Sequence, residues 1–293
     1  MMRSAIFAVV AVSIFRLAGY FTEPRLSDAE IHAVTGEPSA VTPALIDPHA
    51  IKVVTWNIER GVQFQRIVAT LRSLAPDVVL LQEVDRYCKR SGNRDVAREL
   101  GQVLRMNWIS GGEFQEVGEA RGTPAALTGQ AILSRDTITD PGVIVFSDQS
   151  SLRWRLNPMQ PKRGGRIALR ARTAGLLIYS LHLESGGDDE QRTSQLNQVI
   201  ADQSRHPAEH AVIAGDFNNA VAFQSFMFAD LAPAGFTDAL GQVSGDARQT
   251  SMNHRHPIDW LFVKGAARAS GRVERVDGAS DHYPVVATVT RRR

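Results

Sequence analysis

Six short polar clusters in this sequence adjoin runs of apolar residues. Thr55-Trp56-Asn57-Ile58-Glu59 follows Ile51–Val54, and Gln82-Glu83-Val84-Asp85 follows Val78–Leu81. Further on come Ser180-Leu181-His182-Leu183-Glu184, then Gly215-Asp216-Phe217-Asn218-Asn219 after Ala211–Ala214. Ile258-Asp259-Trp260 opens an apolar run, and Ser280-Asp281-His282 precedes another. A carboxylate or imidazole beside a buried strand carries a desolvation penalty unless it is paired or bound to a metal. Any one cluster alone reads as a turn or helix cap; six at the ends of core strands point to a site built on a rigid sheet. The donors are oxygen-rich: Asn57, Glu83, Asp216, Asn218, Asp259 and Asp281. Hard oxygen donors favour Mg²⁺, Mn²⁺ or Ca²⁺. No HExxH and no cysteine pair supports zinc. The absence of GxxxxGK[ST], GxGxxG and GxSxG removes the main supports for nucleotide-fuelled, dinucleotide and serine-hydrolase chemistry.

The elements that must hold these residues are visible in outline. Ile51–Trp56, Val78–Leu81, Ala131–Leu133, Ile167–Arg172, Leu176–Leu183, Ala211–Ala214, Ile258–Val263 and Val285–Thr290 read as strands. Apolar residues at Val62, Ile67, Val68, Leu71 and Leu74 predict a helix ending at Ala75-Pro76. Asp95–Leu104 reads as a second helix, and Asp188 as the cap of a third running to about Ser204. Alternation of Arg166, Ala168, Arg170 and Arg172 predicts a strand with one wet face. Strands and helices mix without strict βαβ order, which favours an α/β sandwich over a barrel.

The chain has 293 residues, 43% hydrophobic and 22% charged, with 23 Gly and 13 Pro. That composition excludes disordered, collagen-like and polytopic membrane classes. The single cysteine, Cys88, excludes an intrachain disulfide, a CxxC redox site and a lipid attachment after the leader. Arg3 followed by the apolar run Ala5–Phe15, which no charge interrupts, resembles the start of a secretory signal. The run falls short of the ~20 residues a bilayer span needs, and Arg16 interrupts it. A cleavage site fits poorly at Ala18 and only distantly at Ser27 and Ala29. Residues 1–22 are therefore read as a signal peptide or N-terminal membrane anchor, and 23–50, with Pro24, Pro38, Pro43 and Pro48, as a linker. Residues 51–293 form one catalytic domain. Its 30 basic and 26 acidic residues give only a slight positive balance.

The blocks TWNIE (55–59), LLQEVD (80–85), LHLE (181–184), GDFN (215–218), IDWLFV (258–263) and SDHYPV (280–285) occur in the order seen in the endonuclease/exonuclease/phosphatase superfamily, which the chain resembles over about residues 51–290. The resemblance implies the deoxyribonuclease I-like four-layer αββα sandwich, two mixed β-sheets flanked by helices. It implies a hydrolase of phosphodiester or phosphomonoester bonds, with Mg²⁺ or Mn²⁺ held by Glu83, Asn57 and Asp281. It places His282 beside the scissile phosphate with Asp259 orienting it. Asp216 and Asn218 then position the attacking water, and His182 bonds a phosphate oxygen.

Ser151–Arg172 holds Arg153, Arg155, Lys162, Arg163, Arg166, Arg170 and Arg172 and no acidic residue. A phosphate-rich substrate suits such a stretch, with Arg163 and Arg166 as the expected contacts and Trp154 able to stack on a base or sit at a membrane interface. An outward-facing strand of solvated arginines is the plainer reading. Glu59 and Glu184 read as solvated or structural residues, Asp85 as a turn residue, and Trp56 and Trp260 as core. His254 and His256 read as a surface loop, and Cys88 as an incidental thiol. The expected substrate is a phospholipid, a small phosphoester or a nucleic acid. A dedicated nuclease is less favoured, because a clear basic footprint is missing. A non-catalytic binding module is disfavoured by the complete residue set. A monomer is expected, exported or anchored at the inner membrane, with the cytoplasm as the alternative.

Overall fold

A computed structural model describes residues 34–36, 46–120, 124–149, 162–219 and 221–291. The leader read at 1–22, and Arg153, Trp154 and Arg155, lie outside the described residues. The strands in chain order begin with β1 (Val34–Gly36), β2 (Ala50–Arg60), β3 (Val78–Arg86), β4 (Asn107–Glu116), β5 (Leu127–Ser134), β6 (Thr139–Val145) and β7 (Lys162–Gly164). They continue with β8 (Ile167–Thr173), β9 (Leu176–His182), β10 (Ala211–Asp216), β11 (Phe236–Asp238), β12 (Asp259–Lys264), β13 (Arg268–Val273) and β14 (Val285–Thr290). The larger sheet has the order β1-β4-β5-β3-β2-β14-β13, with β7 also on β4; the smaller runs β11-β12-β10-β9-β8-β6. Each mixes one parallel pair, β2 with β3 and β9 with β10, into antiparallel neighbours.

Four helices of eight or more residues are described: α1 (Phe64–Leu74), α2 (Val96–Leu104), α3 (Asp189–Arg205) and α4 (Phe223–Leu231). Ile51, Val53, Val78 and Leu80 meet Ile178, Val212, Ala214 and Leu261 between the sheets. The alternate residues Val54, Trp56, Val79 and Leu81 pack outward on Ile67, Leu71 and Leu100 of α1 and α2. Leu177, Tyr179 and Ile213 pack likewise on Leu196, Val199 and Met227 of α3 and α4. The result is the expected αββα sandwich. Burial on both faces is why the core strands read as continuous apolar runs instead of alternating ones.

Local chemistry sets the helix ends. Asp95 accepts the Arg98 N–H at 3.2 Å and Asp188 accepts the Gln191 N–H at 2.9 Å, so both helices begin on a side-chain cap. Val62 lies ahead of α1 and is exposed, so the first helix starts two residues later than its apolar spacing predicts. The linker is not featureless: Val34–Gly36 pairs antiparallel with Trp108–Ser110 at the edge of the larger sheet. The face expected to be wet on β8 is instead covered by α3. Ala168 is buried there, and Arg170 reaches Asp202 at 3.0 Å.

One polar seam crosses the apolar interior. Gln82 on β3 hydrogen-bonds Thr55 and donates to Ser180 Oγ at 3.1 Å. Ser180 on β9 donates to Gln130 at 2.8 Å, and Gln130 on β5 donates to the Ile167 carbonyl at 2.7 Å and to Glu113 at 3.0 Å. All of these side chains are buried and satisfied, as a polar group in a dry core requires.

Candidate active site

The site begins where three strands of the smaller sheet stop together. In the register, Asp216 stands opposite His182 on one side and Asp259 on the other. Gly215 immediately before it has φ 149°, and a Cβ there would overlap the Leu181 carbonyl oxygen, so only glycine lets β10 and β9 close up at this point. His182 Nε2 lies 3.5 Å from Asp216 Oδ2. Asn218, at φ 47°, donates its backbone N–H to Asp216 Oδ1 at 2.9 Å and its amide to the Leu183 carbonyl at 3.0 Å.

The larger sheet brings His282 to the same place through the turn ahead of β14. Ser280 Oγ donates to the Asn57 carbonyl at 2.7 Å and accepts the His282 N–H at 3.1 Å, while Trp56 Nε1 donates to the His282 carbonyl at 2.9 Å. The His282 backbone is thus held on both sides, and its imidazole has Nδ1 2.9 Å from Asp259 Oδ2 and Nε2 3.9 Å from Asp216 Oδ2. Thr250 Oγ1 fixes Asp259 in turn by accepting its N–H at 3.0 Å. Burial disfavours the imidazolium, but Asp259, Asp216 and Asp281 outweigh it and push His282 up to about 10. Asp216, raised by burial and then by Asp259, reaches about 7. His182, fully buried and facing Arg166, is pushed well below its ordinary value and is neutral.

Beside this lies an acidic pocket on the larger sheet. The β2/β3 register slips between Asn57 and Arg60 and between Gln82 and Val84, and the bulge turns Glu59, Arg60 and Glu83 into left-handed conformations, φ 46°, 66° and 51°. Bulges that re-aim a side chain, and non-glycine residues held at positive φ, recur beside active sites. Glu83 faces the cleft 3.6 Å from Arg60 Nε, and the neighbouring Asn57 amide donates to Asp216 Oδ2 at 3.2 Å. Burial works against its charge, yet Arg60, Arg166 and His282 hold it below the usual carboxylate range. Glu59 is raised by burial and then by Asp281, with Glu83 adding to it. Three carboxylates, Glu59, Glu83 and Asp281, therefore crowd one half-buried pocket with Asn57 at its edge. A hard divalent cation fits such a donor set and relieves the repulsion. Asp216, Asp259 and His282 also bring ligand atoms within 4.8 Å of one another. The two oxygen donors and one imidazole of that trio are a second place where a cation could be held, beside the Glu59–Glu83–Asp281 pocket.

The structure thus gathers Asn57, Glu83, His182, Asp216, Asn218, Asp259, Asp281 and His282 at the junction of the two sheets. It separates the two arginines. Arg166, expected from sequence to contact substrate, is buried beneath the site with its guanidinium 3.1 Å from Glu113 Oε2. Arg163 on β7 is half-buried, with Nε donating to Gln115. Glu113 went unseen in the sequence. It sits mid-strand in β4, 3.8 Å from His182 Nδ1, and no local motif marks it. Asn253, donating to Asp281 Oδ2 at 3.1 Å, also went unseen. Glu59 belongs to the pocket and is not a solvated flank. Asp85 is a buried partner of Arg90 at 2.8 Å and not a turn residue. Trp56 and Trp260 are core, as expected. His256 Nε2 donates to the Asn219 carbonyl at 2.8 Å, and His254 stays exposed. Cys88 is buried and its thiol is pushed up by desolvation and by Asp85, which leaves it inert.

The sandwich and its junction site define a known class. Residues 54–282 match the model of the Endonuclease/Exonuclease/phosphatase family, and the chain belongs to that family. Similar solved structures include an endonuclease/exonuclease/phosphatase from Beutenbergia cavernae DSM 12333, 22% identical, covering 83% of this chain and 72% of that one at TM-score 0.62. A family protein from Bacteroides thetaiotaomicron is 18% identical, with 83% and 98% coverage and TM-score 0.58. TDP2 of D. rerio, complexed with single strand DNA product, is 20% identical, with 82% and 98% coverage and TM-score 0.53. At these identities the likeness is one of fold. No curated protein matches the sequence.

Proposed function

We propose that the protein is a divalent-metal-dependent phosphoesterase that hydrolyses a phosphodiester or phosphomonoester. The observation that carries this reading is the pairing, across one junction, of a charged His282–Asp259 couple with the Asn57–Glu83–Asp281 pocket. Asn57, Glu83 and Asp281, with Glu59 alongside, would hold Mg²⁺ or Mn²⁺, which supplies Lewis-acid stabilisation of a phosphoryl oxygen when bound. The His282 imidazolium, kept charged by Asp259, neutralises the phosphate opposite. Neutral His182 donates a hydrogen bond to a phosphoryl oxygen, with its ring held between Asp216 and Glu113. Asn218 orients the attacking water, and Asp216 accepts its proton as the new P–O bond forms and the ester P–O bond breaks; the leaving oxygen takes a proton from solvent or from His282. Arg60, beside Glu83, and Arg163 would meet the anionic substrate, while Arg166 supports Glu113 and His182 from below.

The slight positive charge favours a lipid or small phosphoester over long nucleic acid. The apolar run Ala5–Phe15 behind Arg3 favours export or anchoring in the cell envelope. The test is hydrolysis of bis-p-nitrophenyl phosphate, plasmid DNA, RNA and phospholipid, each with Mg²⁺ and with EDTA. Wild-type turnover should be lost in EDTA and in Glu83→Gln, Asp216→Asn and His282→Ala. Near-normal metal-dependent rates in all three variants would sink the assignment.

A further inference from the structure

The α4 helix is unlike the other three. Its inward stripe, Phe223, Met227 and Leu231, is buried, but its outward stripe is also apolar: Ala222, Phe226 and Ala229 are exposed, Phe226 by 54%. Val221 just before it is 64% exposed. Phe228 is exposed at one edge and meets Trp260 edge-on at 5.5 Å with the other. From residue 220 to 237 the only charge is Asp230. The outer face of α3, by contrast, carries Asp189, Glu190 and Arg205. Gln224, Ser225 and Asp230 are the polar residues of α4, and beside them Val221, Phe226 and Phe228 form an exposed apolar patch of the kind that marks an interaction surface.

This helix also stands at the reaction. Val221 follows Asn218 by three residues, so the chain places it within about 11 Å of that residue. Asn219 between them is fastened to Trp260, whose Nε1 donates to it at 2.9 Å. A helix of 9 residues, about 13 Å long, presents far less than the ~800 Å² per partner that a stable protein interface needs. The exposed side chains of Val221 and Phe226 suit a shallow insertion, about 5–10 Å into a bilayer interface. The same chain carries Ala5–Phe15. The 19 residues from Phe15 to Val34 can span at most ~65 Å, more than the width of a domain this size, about 45 Å, so both apolar segments can meet one membrane.

We propose that Val221 and the outer face of α4 dock on a phospholipid bilayer and deliver lipid headgroup phosphoesters to the adjoining site. This rests on the phosphoesterase reading for its substrate, but docking itself can be read without turnover. Cys88 is the only cysteine and is fully buried, so Phe226→Cys takes a thiol-reactive, environment-sensitive fluorophore selectively. In full-length protein its emission should shift to the blue on phosphatidylcholine/phosphatidylglycerol vesicles, while the same probe at Gln102→Cys on α2 stays in water. Val221→Ser with Phe226→Ser should lower cleavage of vesicle phospholipid about tenfold and leave bis-p-nitrophenyl phosphate turnover within about twofold. No shift at 226 on vesicles overturns the proposal whatever the activities. A probe already shielded in buffer also overturns it, showing the face covered by the leader or by a second copy. A vesicle-dependent shift in a chain that hydrolyses no phosphoester leaves docking standing and removes the phosphoesterase reading.

Discussion

At the scale of single residues, the site separates into groups that must carry charge and groups that must not. His282 is charged because two carboxylates lie within 4 Å, and Asp259 is the closer. Asp259→Asn keeps the shape and removes that support, so kcat should fall by about 10²–10⁴ with KM little changed, measured on a soluble diester. His182 is neutral because Arg166 and burial both oppose a proton. The motif blocks made most of these residues legible, since each lies within a few positions of a strand end. Glu113 and Arg166 escaped because their meaning comes from a partner far along the chain: the pair joins β4 to the start of β8. A basic run looks like a ligand surface until the fold shows which arginine points inward.

At the scale of elements, strands in the sandwich core were plain from apolar runs, and Val285–Thr290 stands where the sequence placed it. β4 and α4 were not. β4 carries Gly111 and Gly112 among polar residues, and α4 lacks the polar stripe that announces a surface helix. Capping gives a direct check: Asp188→Ala should lower unfolding free energy by about 1 kcal/mol in urea titration and leave turnover intact. A second check concerns Asp202, on the buried face of α3. Burial opposes its charge, but bonds from Arg170 and Tyr179 prevail and its pKa is lowered. A depressed folded pKa contributes stability above the unfolded value of ~3.9 and loses it as pH falls through the folded value. Asp202→Asn should therefore destabilise most above about pH 5, with the gap from wild type narrowing in acid. A constant gap from pH 7 to 3 would contradict this.

At the scale of the whole molecule, the site belongs to neither sheet. Asn57, Glu83, Asp281 and His282 come from the larger one, and His182, Asp216 and Asp259 from the smaller. A cation bound across Asn57, Glu83 and Asp281 stabilises only the folded chain. Saturating Mg²⁺ or Mn²⁺, at about 100 times Kd, should add roughly 2.7 kcal/mol and raise Tm, and EDTA or Glu83→Gln should abolish the shift. The polar seam of Gln82, Ser180 and Gln130 matters here as mechanics. Apolar faces in contact resist separation but can slide, because dispersion and burial have no direction. A chain of directional bonds anchored on both sheets resists shear, and a slip of one residue, about 3.4 Å, would break every link in it. The seam ties the two halves of the site together by bonds that have a direction. Replacing Gln82 or Gln130 with Leu should therefore leave each half-site intact while letting the distance between them drift.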